Sequence, residues 1–253
     1  MSLDISVIII TLNEEKNIER CLKSLSSWAS EIIVVDSASQ DKTLEICKRY
    51  THKIYVKEFL NYADQKNHAL SLATKRWIFS VDADEEVTET LQQEIAQIIS
   101  STVSLNGYSV LRKSFIFQHP FRYTGTQCDR PLRLFKREKA HFVQPIHEIV
   151  QVQGKRGALS GILNHYTYPS ISDYMVRFNR YTTMESDYLK TLKYHFKFSD
   201  LLLRPIWRFV DLYLLKQGFR DGVPGFIFSV LSSFYVFIKY NKYWESTNLR
   251  VHA

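Results

Sequence analysis

Glycine is scarce in this chain, with 8 in 253 residues, and no glycine-rich loop is present to cradle a phosphate. That counts against a dinucleotide-dependent dehydrogenase, and the absence of a G-x-S-x-G elbow removes one common hydrolase plan. Cysteine is almost as rare. Cys21, Cys47 and Cys128 are too few and too scattered for a disulfide framework, with no C-x-x-C pair and no His–Cys cluster at zinc spacing. Reduced cytosolic thiols are therefore expected. The opening Met1-Ser2-Leu3-Asp4 lacks a basic n-region, so no signal peptide is expected. The apolar stretch from Val223 to Ile238 is broken by serines and Pro224 and falls short of the about 20 residues that cross a bilayer. No spanning helix is expected from it. Repeats and low-complexity segments are absent too.

What is present is an ordinary globular composition, 45% hydrophobic and 23% charged, enough for one good core. Aromatics stand out at 14%. The first hundred residues alternate strand and helix. Ile5–Ile10, Ile32–Val35, Ile54–Val56 and Trp77–Val81 are short β-branched or apolar runs, as expected of strands covered on both faces. Between them lie a helix carrying Ile18, Leu22 and Leu25, one capped by Asp41, and one from Asp64 to Ala73. A fourth follows Thr88, with Leu91, Ile95 and Ile98 on one face. This order predicts a doubly wound, mainly parallel sheet with right-handed crossovers. After Gly107 the pattern changes. Tyr108–Leu111, Leu132–Phe135 and Glu148–Val152 read as further strands, and the chain turns helical beyond Asp173. A catalytic domain over residues 1–190 and a helical extension over 191–253 are expected.

The chemistry concentrates at strand ends. Trp77-Ile78-Phe79-Ser80-Val81 runs straight into Asp82-Ala83-Asp84, placing two carboxylates at the carboxyl edge of a sheet, where open α/β folds bind ligands. Carboxylates at that spacing can hold a hard divalent cation and, through it, a diphosphate. The first strand ends at Thr11-Leu12-Asn13-Glu14 and the second at Asp36-Ser37-Ala38-Ser39-Gln40-Asp41, on the same edge. Asp36 suits a base N–H or a ribose hydroxyl, Asp82 a ribose and Asp84 a metal. The competing reading is that Asp36, Ser37 and Asp41 only turn the chain and cap the next helix.

Three segments in order, Ser6–Glu15, Val34–Thr43 and Val81–Glu86, resemble the family 2 glycosyltransferases, over roughly residues 4–190. A closer likeness, to the bacterial subgroup that adds glucose to the lipopolysaccharide inner core, rests on Gln65–Leu70, Arg133-Leu134-Phe135, His147-Glu148 and Tyr213–Phe219. The resemblance implies a GT-A fold and a nucleotide-sugar donor, with inversion at the anomeric carbon. It implies nucleotide contacts from Thr11, Leu12, Asn13 and Glu14, uracil reading by Asp36 beside Ser37, and Lys66 near the base or diphosphate. It also gives Asp82 the ribose across Ala83 from Asp84, which takes Mg²⁺ or Mn²⁺. Many relatives carry Arg where Lys66 stands, and an ammonium offers a point charge instead of a bidentate fork.

Transfer needs a base for the acceptor proton. Candidates are Glu148, Asp129 and the Glu85/Glu86 pair. Glu148 is favoured, with His147 orienting it or touching the acceptor. Asp129 is expected to pair with Arg130 or Arg133, and Glu85 and Glu86 to open the next helix, where acids suit the dipole. His165, placed after a probable strand, is a candidate metal ligand or a structural histidine.

The net charge of +7 is uneven: residues 190–253 hold ten Lys/Arg and four Asp/Glu, hence +6. These cations alternate with Leu, Phe, Tyr and Trp, unlike a nucleic-acid groove, so no nucleic-acid partner is expected. Amphipathic helices edged by Arg204, Arg208, Lys216, Arg220, Lys239 and Lys242 suit a membrane interface instead; packing on the catalytic domain or a dimer contact is the other reading. The expected partners are a UDP-sugar, a lipid-linked glycan and the cytoplasmic face of an inner membrane.

Overall fold

The computed structural model describes residues 2–101, 105–146 and 148–248. The chain forms two compact units, one of residues 1–113 and 129–167, the other of residues 114–128 and 168–253.

The first unit opens with β1 (Leu3–Thr11), α1 (Ile18–Lys23), β2 (Ala29–Asp36), α2 (Thr43–Cys47) and β3 (Ile54–Val56). α3 (Tyr62–Leu72), β4 (Trp77–Asp82), β5 (Glu85–Val87) and α4 (Glu89–Ser100) follow. β6 (Gly107–Ile116), β7 (His119–Pro120), β8 (Leu132–Lys136), β9 (Ala140–Val143), β10 (Ile149–Val152) and β11 (Arg156–Tyr168) complete the strands, β7 belonging to the second unit. One sheet runs in the order β3-β2-β1-β4-β8-β6-β11-β5, with β7 on β6, and β9 and β10 form a separate ribbon. β1 to β4 pair in parallel, whereas β8 is antiparallel to β4 and β6. The parallel half is the β-α-β-α alternation of the sequence, and the mixed half begins where that pattern stops.

Alternation along β1 explains the layering. Ile5, Val7 and Ile9 face a core with Leu22 of α1, Cys47 of α2 and Leu91 and Ile95 of α4; Ile8 faces another with Ala69 and Leu70 of α3. A strand buried on both faces reads as one continuous apolar run. Thr88 caps α4, its hydroxyl accepting from the Leu91 N–H at 3.4 Å. Gly161 on β11 lies against α4, where a Cβ would sit 2.5 Å from the Leu91 Cα.

The second unit holds α5 (Ile171–Thr191), α6 (Ser199–Phe209), a π-helical turn over Val210–Leu215, a 3-10 turn over Gly218–Asp221 and α7 (Gly222–Asn248). The buried Asp221 carboxylate ties it together, accepting from the Arg122 and Tyr123 N–H groups at 3.0 Å and the Thr124 hydroxyl at 2.6 Å. α7 corrects one expectation. Pro224 sits in its first turn, where a missing N–H costs nothing, so the helix runs on unbroken. Gly218–Asn248 is long and apolar enough to cross a membrane, by length and composition.

Candidate functional site

Parallel register sets Thr11 beside Asp36 and Ile10 beside Asp82, so three acid- or hydroxyl-bearing tips end on one edge. The loops beyond β1 and β2 are laced together. The Asn13 N–H donates to the Ser39 hydroxyl and the Gln40 N–H to the Asn13 side-chain oxygen, both at 2.8 Å. The Glu14 N–H donates to the Thr43 hydroxyl at 2.8 Å, and the Glu15 N–H to Asp41 at 3.1 Å. Asn13 and Ala38 hold positive φ, 54° and 66°. Such backbone is costly for a residue with a Cβ and persists where surrounding bonds over-determine it. Asp36 is buried and accepts from the Ser39 N–H at 2.7 Å and hydroxyl at 2.5 Å, while Asp41 accepts from the Thr43 N–H at 2.9 Å. Both acids thus bond into their own turns, but Asp41 does not cap α2 as expected: Lys42 stands at the N-cap with no side-chain cap, and Asp41 holds Thr43 in the first turn. The Thr11 hydroxyl is buried at this edge without a hydrogen-bond partner. Leu12 and Ser37 are half-buried beside it, and Ser37 accepts from the Gln65 amide at 2.9 Å.

Asp82 lies between two cations. The Lys66 ammonium, on α3, is 2.8 Å from one carboxylate oxygen, and the Arg133 guanidinium, on β8, is 2.5 Å from the other. Lys66 also reaches Glu148 at 2.5 Å, so one ammonium bridges Asp82 and Glu148. Arg133 also reaches Glu85 at 2.6 Å; Arg112 adds a contact to Glu85 at 3.2 Å and one to Asp129 at 2.7 Å. Burial alone would raise the pKa of Asp82, but Arg133 and Lys66 outweigh it and hold the acid well below the usual carboxylate range. Burial opposes the charge on Lys66 as well; Asp82 and Glu148 overcome it and the ammonium is stabilised. The result is a near-balanced charge network with its cations Lys66 and Arg133 buried and two anions of different sequence origin, Asp82 and Glu148, brought together at its partly open side.

Asp84, buried, has one oxygen 3.5 Å from His165 Nε2. That separation is long for a hydrogen bond and suits two donors sharing one ion. His165 Nδ1 is buried without a partner. No group of three or more His, Cys, Asp or Glu side chains is placed to hold a metal among the described residues. The Asp84 carboxylate fits a hard cation of the Mg²⁺/Mn²⁺ class, which takes its other ligands from water and phosphate oxygens, and the His165 imidazole beside it suits the transition metal of the two, Mn²⁺.

Several expectations need correcting. Glu85 and Glu86 do not open a helix: they lie in β5, which pairs antiparallel with β11, Glu85 opposite His165. Glu85 is buried and its carboxylate accepts from the Asp82 N–H at 2.9 Å. Asp129 pairs with Arg112 and not with Arg130 or Arg133. His165 lies within β11 and not after a strand. The β10 strand begins at Ile149, one residue past Glu148. His147 lies outside the described residues. Sequence reasoning missed the roles of Arg133, Arg112, Ser39 and Thr43. Ser39, Thr43 and Arg133 all stand in segments already singled out; what no local pattern showed was the partners of Arg133, which are 48 and 51 residues away.

The sequence model of the family described as Glycosyl transferase family 2 matches residues 6–166. Among curated proteins, the chain is 28% identical to the lipopolysaccharide core biosynthesis glycosyltransferase LpsC of Rhizobium meliloti, over 98% of this chain and 94% of that one. It is 33% identical to an uncharacterized glycosyltransferase of Rickettsia typhi, over 95% and 87%. Among solved structures, a mannosyltransferase from Pyrobaculum calidifontis in complex with GDP-mannose and Mn²⁺ covers 98% of this chain and 89% of its own, at a TM-score of 0.55 and 16% identity. That likeness is one of fold, and the fold is GT-A.

Proposed function

From the premise that this chain belongs to glycosyltransferase family 2, we propose that it is an inverting, metal-dependent hexosyltransferase that moves glucose from UDP-glucose to a lipopolysaccharide inner-core acceptor. The observation that carries the reading is Asp82 held between Lys66 and Arg133 on the edge where Thr11 and Asp36 also end, with Glu148 across Lys66. The acceptor follows the Rhizobium meliloti relative, a lipopolysaccharide core biosynthesis glycosyltransferase that the chain matches over nearly its whole length.

In this reading Thr11, Leu12, Asn13 and Glu14 line the nucleotide, Asp36 with Ser37 reads the uracil, and Asp82, next to Ala83, holds the ribose. Lys66 lies toward the diphosphate. Asp84 and His165 hold Mg²⁺ or Mn²⁺, which when bound neutralises charge on the leaving diphosphate. The acceptor oxygen attacks C1 of the sugar from the face opposite the diphosphate. The C1–O bond to phosphate breaks with its electron pair leaving on UDP, and the hydroxyl proton passes to Glu148, oriented by His147. Residues 1–190 carry the transfer and residues 191–253 place the enzyme at the cytoplasmic face of the inner membrane, a division by role and not by packing.

The test uses purified protein, Mn²⁺, labelled UDP-glucose and an inner-core acceptor lacking the glucose. A β-linked product is expected, with Glu148→Gln lowering turnover about 10²-fold or more while donor affinity stays within a few-fold. Wild-type turnover in that variant at unchanged donor affinity would remove Glu148 from the role.

A further inference from the structure

The first half of α7 buries small residues and shows large ones. In its first half Gly225, Ser229 and Ser232 are buried, while Val223, Phe226 and Val230 are exposed. Gly225 packs so tightly that a Cβ there would sit 2.1 Å from the Gly218 carbonyl oxygen. The Ser229 hydroxyl donates to the Gly225 carbonyl at 2.7 Å, and Ser233 donates to the Pro205 carbonyl of α6 at 2.8 Å. α6 follows the same plan: its buried residues are Asp200 and Pro205, while Leu203, Ile206 and Trp207 are 65%, 60% and 61% exposed. Between the two helices runs an open groove lined by Ile206, Phe209, Phe226, Val230 and Ser233. A helix in water turns its apolar stripe inward. Small residues at the helix contact with large apolar ones outward is the packing of helices in lipid.

Charge selects the occupant. Arg204 is held by Asp200, Arg208 and Lys216 by Asp211, and Arg220 lies over the Tyr123 ring. Residues 198–234 hold Arg204, Arg208, Lys216 and Arg220 against Asp200, Asp211 and Asp221, of which Asp200 and Asp221 are buried, so the exposed charge of this face is cationic and meets its complement in an anionic lipid surface, not in a second copy. Orientation follows from the other half of α7. Tyr235 and Lys239 bond Glu185 of α5 at 2.7 and 2.9 Å, and Lys242 bonds Asn179, Thr182 and Thr183 at 2.8 Å. Lys239 and Lys242 thus face α5, not lipid as their sequence spacing suggested. A helix tied along its second half by polar groups is placed to lie in the surface and not to cross it.

We infer that the exposed flank of α6 and the first half of α7 seats in one leaflet of an anionic bilayer, both helices parallel to the surface, with Trp207 and the flanking arginines at headgroup depth. This deepens the membrane placement proposed above and rests on it. The test is full-length protein with vesicles of equal parts phosphatidylethanolamine and phosphatidylglycerol, against pure phosphatidylcholine, with acyl-brominated lipid as a quencher. The protein should sediment with the anionic vesicles and be released by salt. Trp207 emission should be quenched, with the quenching lost in Trp207→Phe. Ile206→Ser with Phe226→Ser should weaken binding at least roughly tenfold. UDP affinity measured on that double variant should match wild type, which keeps failure here separate from failure of the donor assignment. Equal binding to neutral vesicles, no quenching, or a dimer that the double variant dissociates without any vesicle binding would overturn the inference.

Discussion

The guanidinium of Arg133 serves Asp82 and Glu85 together, and its Nε is buried without a partner. Removing it leaves Asp82 with Lys66 alone and the buried Glu85 with the longer Arg112 contact, so the loss falls below the about 3–5 kcal/mol typical of a buried charge left with no partner. Arg133→Met is therefore expected to lower the unfolding free energy in urea melts by less than that amount and to weaken nucleotide binding, because Asp82 loses one of the two cations that hold it. A variant with wild-type melting and wild-type UDP affinity would show that the pairing holds nothing in place. Ala38 makes the opposite case. Its φ of 66° suits glycine, and Ala38→Gly is expected to be neutral or to gain up to about 1 kcal/mol in denaturant melts. At this scale the sequence placed Asp36 and Asp82 at strand ends, where the structure has them, but did not show their protein partners, because ion pairs such as Arg133–Asp82 form across strands that no local pattern relates.

Strands and helices were easier to read where burial was two-sided. β1, β2 and β4 announced themselves as unbroken apolar runs, and α4 by its cap and one apolar face. β5 was hidden because its acids resembled a helix start, and what made it a strand was the antiparallel partner β11, some eighty residues on. The contact of β11 with α4 gives a prediction: Gly161→Ala drives a Cβ into the Leu91 backbone and should cost about 1–3 kcal/mol by chemical denaturation. The start of β2 gives another. Burial favours the neutral acid at Glu31, but Lys53, Ser6 and Thr74 outweigh it and lower the pKa from 4.5 to about 2. A carboxylate whose folded pKa lies below its unfolded one contributes stability above the unfolded value and loses it as pH falls. That contribution is lost as pH falls from about 4.5 to about 2. Melts across that window should fall steeply for wild type and more gently for Glu31→Gln.

At the scale of the whole molecule, one edge of the parallel sheet gathers residues from β1, β2 and β4 with Lys66, Arg133 and Glu148 from elements far along the chain. Sequence alone made the meeting of the three strand tips readable, since the alternation of strands and helices dictates parallel pairing and parallel pairing aligns the tips; the convergence of Arg133 and Glu148 on them was not. It did not reveal how the second unit packs, because an inward stripe of Gly and Ser carries no hydrophobic period. The central claim is a uridine-diphosphate site on that edge, closed by a divalent ion at Asp84. Calorimetric titration of UDP with Mn²⁺ into wild type and Asp84→Asn tests it most directly. Tight, Mn²⁺-dependent binding by wild type, at least tenfold weaker in the variant, is the result predicted; equal binding by the two proteins, or none by wild type, would contradict it.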